Sequence, residues 1–335
     1  MDRRRFLKTA AVVLFAGAFG VFAAQAQAQA QAWPTRNITI IVPFPPGGQA
    51  DLAARPVALA LEKILGKSVV VDNRGGAGGL LGNAAGARAE PDGHTLLMTL
   101  SSMTFLPEAE RLFDRKPSYE WDQFIPIARV LADPGVLAVH ADSPWKSVAD
   151  LVADAKKRPG QITYSSSGNY GASHVPFEMF SQAAGIKMLH VPYRGGGPAL
   201  IAFVGKQVDL TAQAPGIINP QARDGKARLL AHWGAQRTKE LEGIPTMIEL
   251  GYKDVEYYIW AGLFAPKGTP ATVVTRLREA MRQVMSDPQV TSIFEKAGSP
   301  PAYMDQPEFA KFVEADALRL IPVVKKIGKA EEKEK

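Results

Sequence analysis

The chain has 335 residues, 46% of them hydrophobic and 21% charged, with a formal net charge of +6 and no cysteine. That length supports two domains with sizeable cores and excludes a disordered chain, while a mean hydropathy of −0.06 excludes a multi-span membrane protein. Without cysteine there are no thiol nucleophiles, thiolate metal sites, cysteine-held iron–sulfur clusters or disulfides, so any chemistry falls to oxygen and nitrogen groups.

The first element is an address. A basic cluster (Arg3, Arg4, Arg5, Lys8) precedes an apolar stretch over residues 10–24 and a run of alternating Ala and Gln. The stretch is too short and Ala-rich to span a bilayer, and Ala24-Gln25-Ala26 or Ala30-Gln31-Ala32 suits signal peptidase, so residues 1–32 are expected to be a cleaved signal peptide. Arg3 to Lys8 also fits the twin-arginine pattern, although Asp2 stands where Ser or Thr is usual; the alternative is a general secretory signal. Both routes lead to the periplasm. The remaining chain carries 35 basic and 32 acidic residues, a net +3, too slight for a nucleic-acid surface but favourable to small anions.

Beyond this segment, short β-rich runs fall at residues 37–43, 68–72, 94–99, 136–140, 161–165, 188–191, 208–211 and 228–232. Helical stretches such as 52–65 and 151–158 separate them. Near the end Val273, Val274, Leu277, Ala280, Met281, Val284 and Met285 recur at spacings of three and four, predicting a helix over 271–286 with Pro270 at its start. Alternating strands and helices predict an α/β fold of parallel sheets covered on both faces. The extended stretches 124–140 and 255–266 flank a middle region and are expected to be two crossings between domains. The predicted division is a discontinuous first domain, 33–128 plus 256–335, and a second domain, 129–255. The mixed-charge end KKIGKAEEKEK is expected to fray.

Four glycine-rich turns each follow a strand and precede a helix: PFPPGGQAD at 43–51, NRGGAGGLLG at 73–82, SSSGNYGASH at 165–174 and PYRGGGPAL at 192–200. In open parallel sheets such turns lie at the carboxyl edge, where glycine lets the backbone approach a ligand and the next helix offers unpaired N–H groups. Each could be only a tight turn; together they predict an anion cleft. The second turn approximates a dinucleotide fingerprint, but no acid stands at the end of the next strand to hold a ribose, and no cofactor is expected.

No G-x-S-x-G elbow occurs, and the five histidines lack the spacing of a helical zinc site, so neither catalysis nor a metal is predicted. His174 lies in the third turn without a visible catalytic partner and is expected to hold that loop. Ser165, Ser166 and Ser167 lack an evident base and read as hydrogen-bond donors. Phe44, Tyr170, Tyr193, Tyr258 and Trp260 fall in turns or in the second crossing, where an aromatic either lines a cleft or joins the core. Asp51 reads as an N-cap or first-turn acid.

The segments IVPFPPGGQADLAAR, VVVDNRGGAGGLLG, PDGHTLLM, ITYSSSGNYGASH, HVPYRGGGPAL and APKGTP, in this order, resemble the substrate-binding receptors of tripartite tricarboxylate transporters, the Bug family. The resemblance runs over essentially the whole chain after residue 32. It implies two doubly wound α/β domains of the type II periplasmic-binding-protein kind, hinged by two crossover strands and closing on a small carboxylate that membrane permease subunits take up. It also implies ligand contacts at Gly47, Gly48, Ser101, Ser102, Ser166 and Gly168, largely through backbone amides. To these the residues themselves add Phe44, Tyr170 and Gln213. Two departures matter: Gly168-Asn169-Tyr170-Gly171 replaces the usual G-x-G-[ST], and Gln213 stands where many members carry an acid. A neutral amide cannot neutralise a ligand ammonium, so a dicarboxylate or aromatic carboxylate without an amino group is expected, bound by a monomer. A ligand-sensing subunit and a periplasmic hydrolase using the serines and His174 are the alternatives.

Overall fold

The computed structural model describes residues 33–329. The expected signal peptide, its twin-arginine pattern and its cleavage sites lie outside the described residues, as do the last six residues of the charged end.

The described chain opens with β1 (Ile38–Val42), α1 (Gln49–Leu65), β2 (Val69–Asn73), α2 (Leu80–Ala87), β3 (Thr95–Leu100) and α3 (Leu106–Leu112). A long strand, β4 (Phe124–Pro134), passes through Gly135 into β5 (Val136–His140). Then come α4 (Val148–Lys157), β6 (Thr163–Ser166), α5 (His174–Ala184), β7 (Leu189–Pro192), α6 (Gly196–Val204), β8 (Leu210–Gln213), α7 (Pro215–Arg223) and β9 (Ala227–His232). The chain returns along β10 (Tyr258–Pro266) and finishes with α8 (Ala271–Ser286), α9 (Pro288–Ala297), β11 (Met304–Asp305) and α10 (Gln306–Ile327).

Each of the eight predicted β-rich runs is a strand rich in β-branched or other apolar residues; in β1 both faces are covered and Ile38, Ile40, Ile41 and Val42 are all buried, whereas the edge strands β2 and β7 stay partly exposed. Helix α8 has the predicted limits, and Val273, Leu277, Ala280, Met281, Val284 and Met285 face the core while Val274 is only half-buried. Helix α1 ends at Gly66, whose left-handed backbone (φ 68°) lets its N–H close on the Glu62 carbonyl. Lys325–Ile327, the first residues of the end expected to fray, belong to α10.

Two sheets result, ordered β11-β4-β10-β3-β1-β2 and β7-β6-β8-β5-β9. They are mixed rather than wholly parallel. Strand β10 runs antiparallel to β3 and β4, and β5 runs antiparallel to β8 and β9. The reason is topological: the chain leaves the first sheet along β4, enters the second as β5 and comes back along β10, so the returning strand points the opposite way. The stretches expected to be crossings are therefore mostly central strands of the first sheet. The crossing itself is the single residue Gly135 on one side and the longer connection 233–257 on the other. There the Trp233 N–H donates to the Gly135 carbonyl (2.9 Å) and the Tyr257 N–H to the Trp233 carbonyl (2.8 Å), laying the connections side by side.

One feature of α10 ties the first sheet together. Phe309 packs so closely on β10 that a Cβ at Gly262 would lie 2.3 Å from its ring, and Asp316 accepts the indole N–H of Trp260 at 2.8 Å. From there α10 continues across β4 to α5, on the far side of the cleft.

Candidate functional site

The carboxyl ends of the strands place the glycine-rich turns face to face, and the turns of one sheet touch those of the other. A Cβ on Gly197, at the start of α6, would lie 2.5 Å from the Pro46 carbonyl oxygen before α1. One on Gly168 would lie 2.8 Å from the Gly78 amide nitrogen. No side chain fits in either contact, so at these two positions glycine is required by the approach of backbone to backbone.

Between the paired turns lies a cavity of about 20 Å³ lined by Phe44, Gly48, Gln49, Ala50 and Leu100 from one side and Ser167, Ala172, Ser173, Gly196 and Gln213 from the other, with Ala214 and Ile259. That is room for one water-sized group. Helices α1, α5 and α6 all start at it, and none has a side-chain cap: the N-caps of α1 and α6 are Gly48 and Gly195, and Ser173 before α5 is turned to Ser167 instead. At α5 the N–H groups of His174 and Val175 donate to the Gly171 carbonyl and Pro176 has none, so the free first-turn N–H groups and positive dipole ends facing this cleft, whose lining carries no charged side chain, are those of α1 and α6. Such an environment stabilises carboxylate through backbone donors.

Of the residues expected at the site, Phe44, Gly48 and Gln213 line this cavity, and Gly47 sits against Gly197 with its N–H on Asp51 (3.1 Å). Ser101 and Ser102 are fully buried behind it; the Ser101 hydroxyl meets the Tyr257 hydroxyl at 3.0 Å, and the Ser102 hydroxyl donates to the Gly78 carbonyl at 3.4 Å. Ser166 is held by Gly168, whose N–H donates to its oxygen at 3.1 Å, and by His190 Nε2. The serine cluster thus has an imidazole neighbour that sequence reasoning missed, brought there by the pairing of β6 with β7.

Gly168 and Tyr170 face outward, onto a separate groove of about 700 Å³ that also holds Gly78, Phe113, Arg115, Tyr193 and Arg194. Tyr170 does not line the inner cavity. Its hydroxyl donates to the Gly328 carbonyl just beyond α10 (2.6 Å), and its ring stands edge-on to Phe113. Its backbone is left-handed (φ 52°), a strained conformation held by the bond from its N–H to His174 Nδ1 (2.9 Å). His174 is buried, stacked on His190 at 4.0 Å, and burial, then the neighbouring His190, push its pKa well below the usual histidine value. It holds the loop as a neutral ring. Asp51 lies in the first turn of α1, as expected; burial alone would raise its pKa, but bonds from Arg55, Asn73 and Gly47 outweigh it and hold it down.

Gln213 is oriented by its neighbours. Its amide nitrogen donates to the Gly196 carbonyl (3.1 Å) and to Thr211 Oγ1 (3.2 Å), and a carbonyl can only accept, so the nitrogen must face it. The expected donor to a ligand is consumed, and the amide oxygen remains. Two partners were not legible. Gln49 follows the PPGG turn directly, and its Nε2 bonds the carboxylate of Asp133 near the end of β4. Asp133 is fully buried, which pushes its pKa up to about 7 despite the Ser299 and Gln49 bonds. Ser299 in turn accepts the Gly216 N–H at the start of α7 (3.1 Å), so the chain of contacts runs from the cavity to the second sheet. The signal that could have found Asp133 is a lone acid inside the apolar run FIPIARVLADP.

Comparison with known proteins gives this geometry its context. Residues 53–329 match the tripartite tricarboxylate transporter family receptor, TctC. A curated protein of Cupriavidus necator, described as lying in the gbd 5′ region, is 32% identical over 98% of this chain and 99% of its own. The structure of the periplasmic binding protein BugD is 32% identical, with a TM-score of 0.82 over 88% of this chain and 99% of that one. A protein of R. palustris solved with adipate is 30% identical (TM-score 0.80, 88% and 97% covered), and MatC of Rhodopseudomonas palustris, with bound malate, is 28% identical (TM-score 0.81, 87% and 100% covered). These relatives are solute-binding receptors with two α/β domains, not enzymes, and the chain belongs to the tripartite tricarboxylate transporter receptor family.

Proposed function

We propose that this protein is a periplasmic receptor that captures a small dicarboxylate, or an aromatic carboxylate, without an amino group and presents it to the permease subunits of a tripartite transporter. The observation that carries the reading is the convergence of the N-termini of α1 and α6, neither capped by a side chain, on a cleft lined by no charged side chain. Backbone donors there suit carboxylate, while an ammonium would enter without an opposing charge, at a cost of several kcal/mol by order of magnitude. Two similar proteins hold adipate and malate, both dicarboxylates without an amino group. In this reading Phe44, Gly47, Gly48, Gln213 and the serines Ser101, Ser102 and Ser166 form or back the site, with Gly168 and Tyr170 at its outer rim. The protein works as a monomer whose domains, 33–128 with 256–335 and 129–255, hinge at Gly135 and the parallel connection. Residues 1–32 direct export.

A thermal-shift panel tests the reading. Dicarboxylates at 100 times their dissociation constant should stabilise the protein by about 2.7 kcal/mol. Stabilisation by amines and amino acids with none by dicarboxylates overturns it.

A further inference from the structure

We infer that a second small-molecule site lies in a groove between β4 and α10, and that it takes a monocarboxylate with an apolar body. The groove shares no lining residue with the inner cavity or with the outer groove at the glycine-rich turns. It holds about 470 Å³, an ordinary volume for a small-molecule site, and its walls include Ala132 of β4, Ala302 before β11 and Phe312 of α10. Tyr258 of β10 and four charged side chains, Arg129, Glu256, Asp316 and Arg319, also line it.

Arg129 is the charge without a match. It stands on β4 where the strand pairs with β11, and it is half-buried. Its Nε donates to the Ala302 carbonyl at 2.9 Å and its guanidinium lies over the Phe312 ring at 4.8 Å, so the group is held in one place. No acid among the described residues pairs with it. Burial is what moves its pKa, and moves it down, whereas a neighbouring carboxylate would push it up. A cation drawn partly out of water without a counter-charge is destabilising, and the terminal nitrogens of a guanidinium present the fork that a carboxylate meets with two parallel bonds.

The remaining groups set the class of ligand. Arg319 is already engaged, donating to the Asp316 carboxylate (2.8 Å) and to the Glu256 carbonyl (2.9 Å), and Asp316 also accepts the indole N–H of Trp260. One negative charge is therefore what Arg129 can match. A dianion would bring its second charge into a lining that already holds Glu256 and Asp316. Tyr258 adds a neutral donor: its hydroxyl accepts the Ala235 N–H at 3.0 Å, and no acceptor among the described residues takes its own hydrogen. The alanines and the Phe312 ring leave apolar surface for the body of the ligand.

The test uses the whole protein with 4-bromobenzoate, whose bromine marks its position in an anomalous difference map of a cocrystal and whose affinity is read by calorimetry. The bromine should appear in this groove. Calorimetry should show a binding event that Arg129→Met weakens roughly tenfold or more, the size of a charge-assisted pair of bonds, and that neither sulfate nor 4-bromobenzylamine displaces. Arg129→Lys keeps the charge and loses the fork; it should weaken the same event and serves if the first variant does not fold. Bromine confined to the space between the glycine-rich turns supports the receptor reading and overturns this one. Bromine in the groove with no event in solution, which is binding at crystal concentration only, overturns it too, as does an event that both variants leave unchanged or that sulfate displaces.

Discussion

Asp133 shows how one buried side chain sets a pH dependence. Burial raises its pKa to about 7, so the folded protein holds a proton there that the unfolded chain, with an ordinary carboxyl near 3.8, has already released. The resulting stability is fully present below pH 3.8 and is lost as the pH rises through 7. His174 works in the opposite sense: its depressed pKa keeps it neutral, and the stability it contributes above pH 6.5 is lost as the pH falls below that value. An Asp133→Asn variant leaves His174 untouched, so the difference between the two proteins isolates the acid. Urea unfolding should show the variant close to the natural protein at pH 5 and more stable at pH 8, by about 2 kcal/mol in order of magnitude. A constant difference at both pH values would place the carboxyl's titration elsewhere. Of this only Asp133 left a local trace, as a lone acid in an apolar run; its pairing with Gln49, 84 residues away, was not legible. The glycine turns were legible for the opposite reason: their position between a strand and a helix is a local fact that fixes which edge of the sheet they occupy.

Among the elements, α10 does the least predictable thing. Its first half is anchored in the first sheet by Phe309 and Asp316, and its end meets the third glycine-rich turn, where Tyr170 donates to Gly328. Twenty-two residues of helix reach about 33 Å, enough to strap one side of the cleft to the other. Tyr170→Phe removes that bond without emptying the space the ring fills. The closed form should lose about 1 kcal/mol, read as roughly fivefold faster ligand dissociation in stopped flow, while the unfolding midpoint stays within about a degree. A midpoint several degrees lower with unchanged dissociation would make the bond a matter of folding, not closure. Strands were easier. The runs at 37–43 and 94–99 declared themselves by short, mostly apolar and β-branched stretches, the composition of a strand covered on both faces. The long runs at 124–140 and 255–266 were read as crossings because an extended segment looks the same whether it joins two sheets or stands at the centre of one; the distinction lies in which strands it pairs with, and pairing partners are remote in sequence.

For the whole molecule, the inner cavity decides how a ligand gets in. If the ligand binds between the paired turns, as proposed, where the space is about 20 Å³, the two sheets part for binding and close again around the guest. Ligand-free protein in solution should therefore populate a more open form, and saturation with a bound dicarboxylate should lower the radius of gyration measured by small-angle scattering. An unchanged radius, with binding verified in the same sample, would mean that entry uses a path other than domain parting. In that proposal the bend falls at Gly135 and Trp233, where two backbone bonds knit the connections and Trp233 and Tyr257 beside them are fully buried.

If the halves move as proposed, the contact between Gly197 and the Pro46 carbonyl sets the limit of closure. The two halves stop where backbone meets backbone, and nothing thinner than a glycine hydrogen could be set between them. A receptor of the same build with a methyl group at this point would halt earlier and keep a wider chamber. The range of guest sizes would thus be tuned by a backbone contact, apart from the side chains that recognise the guest.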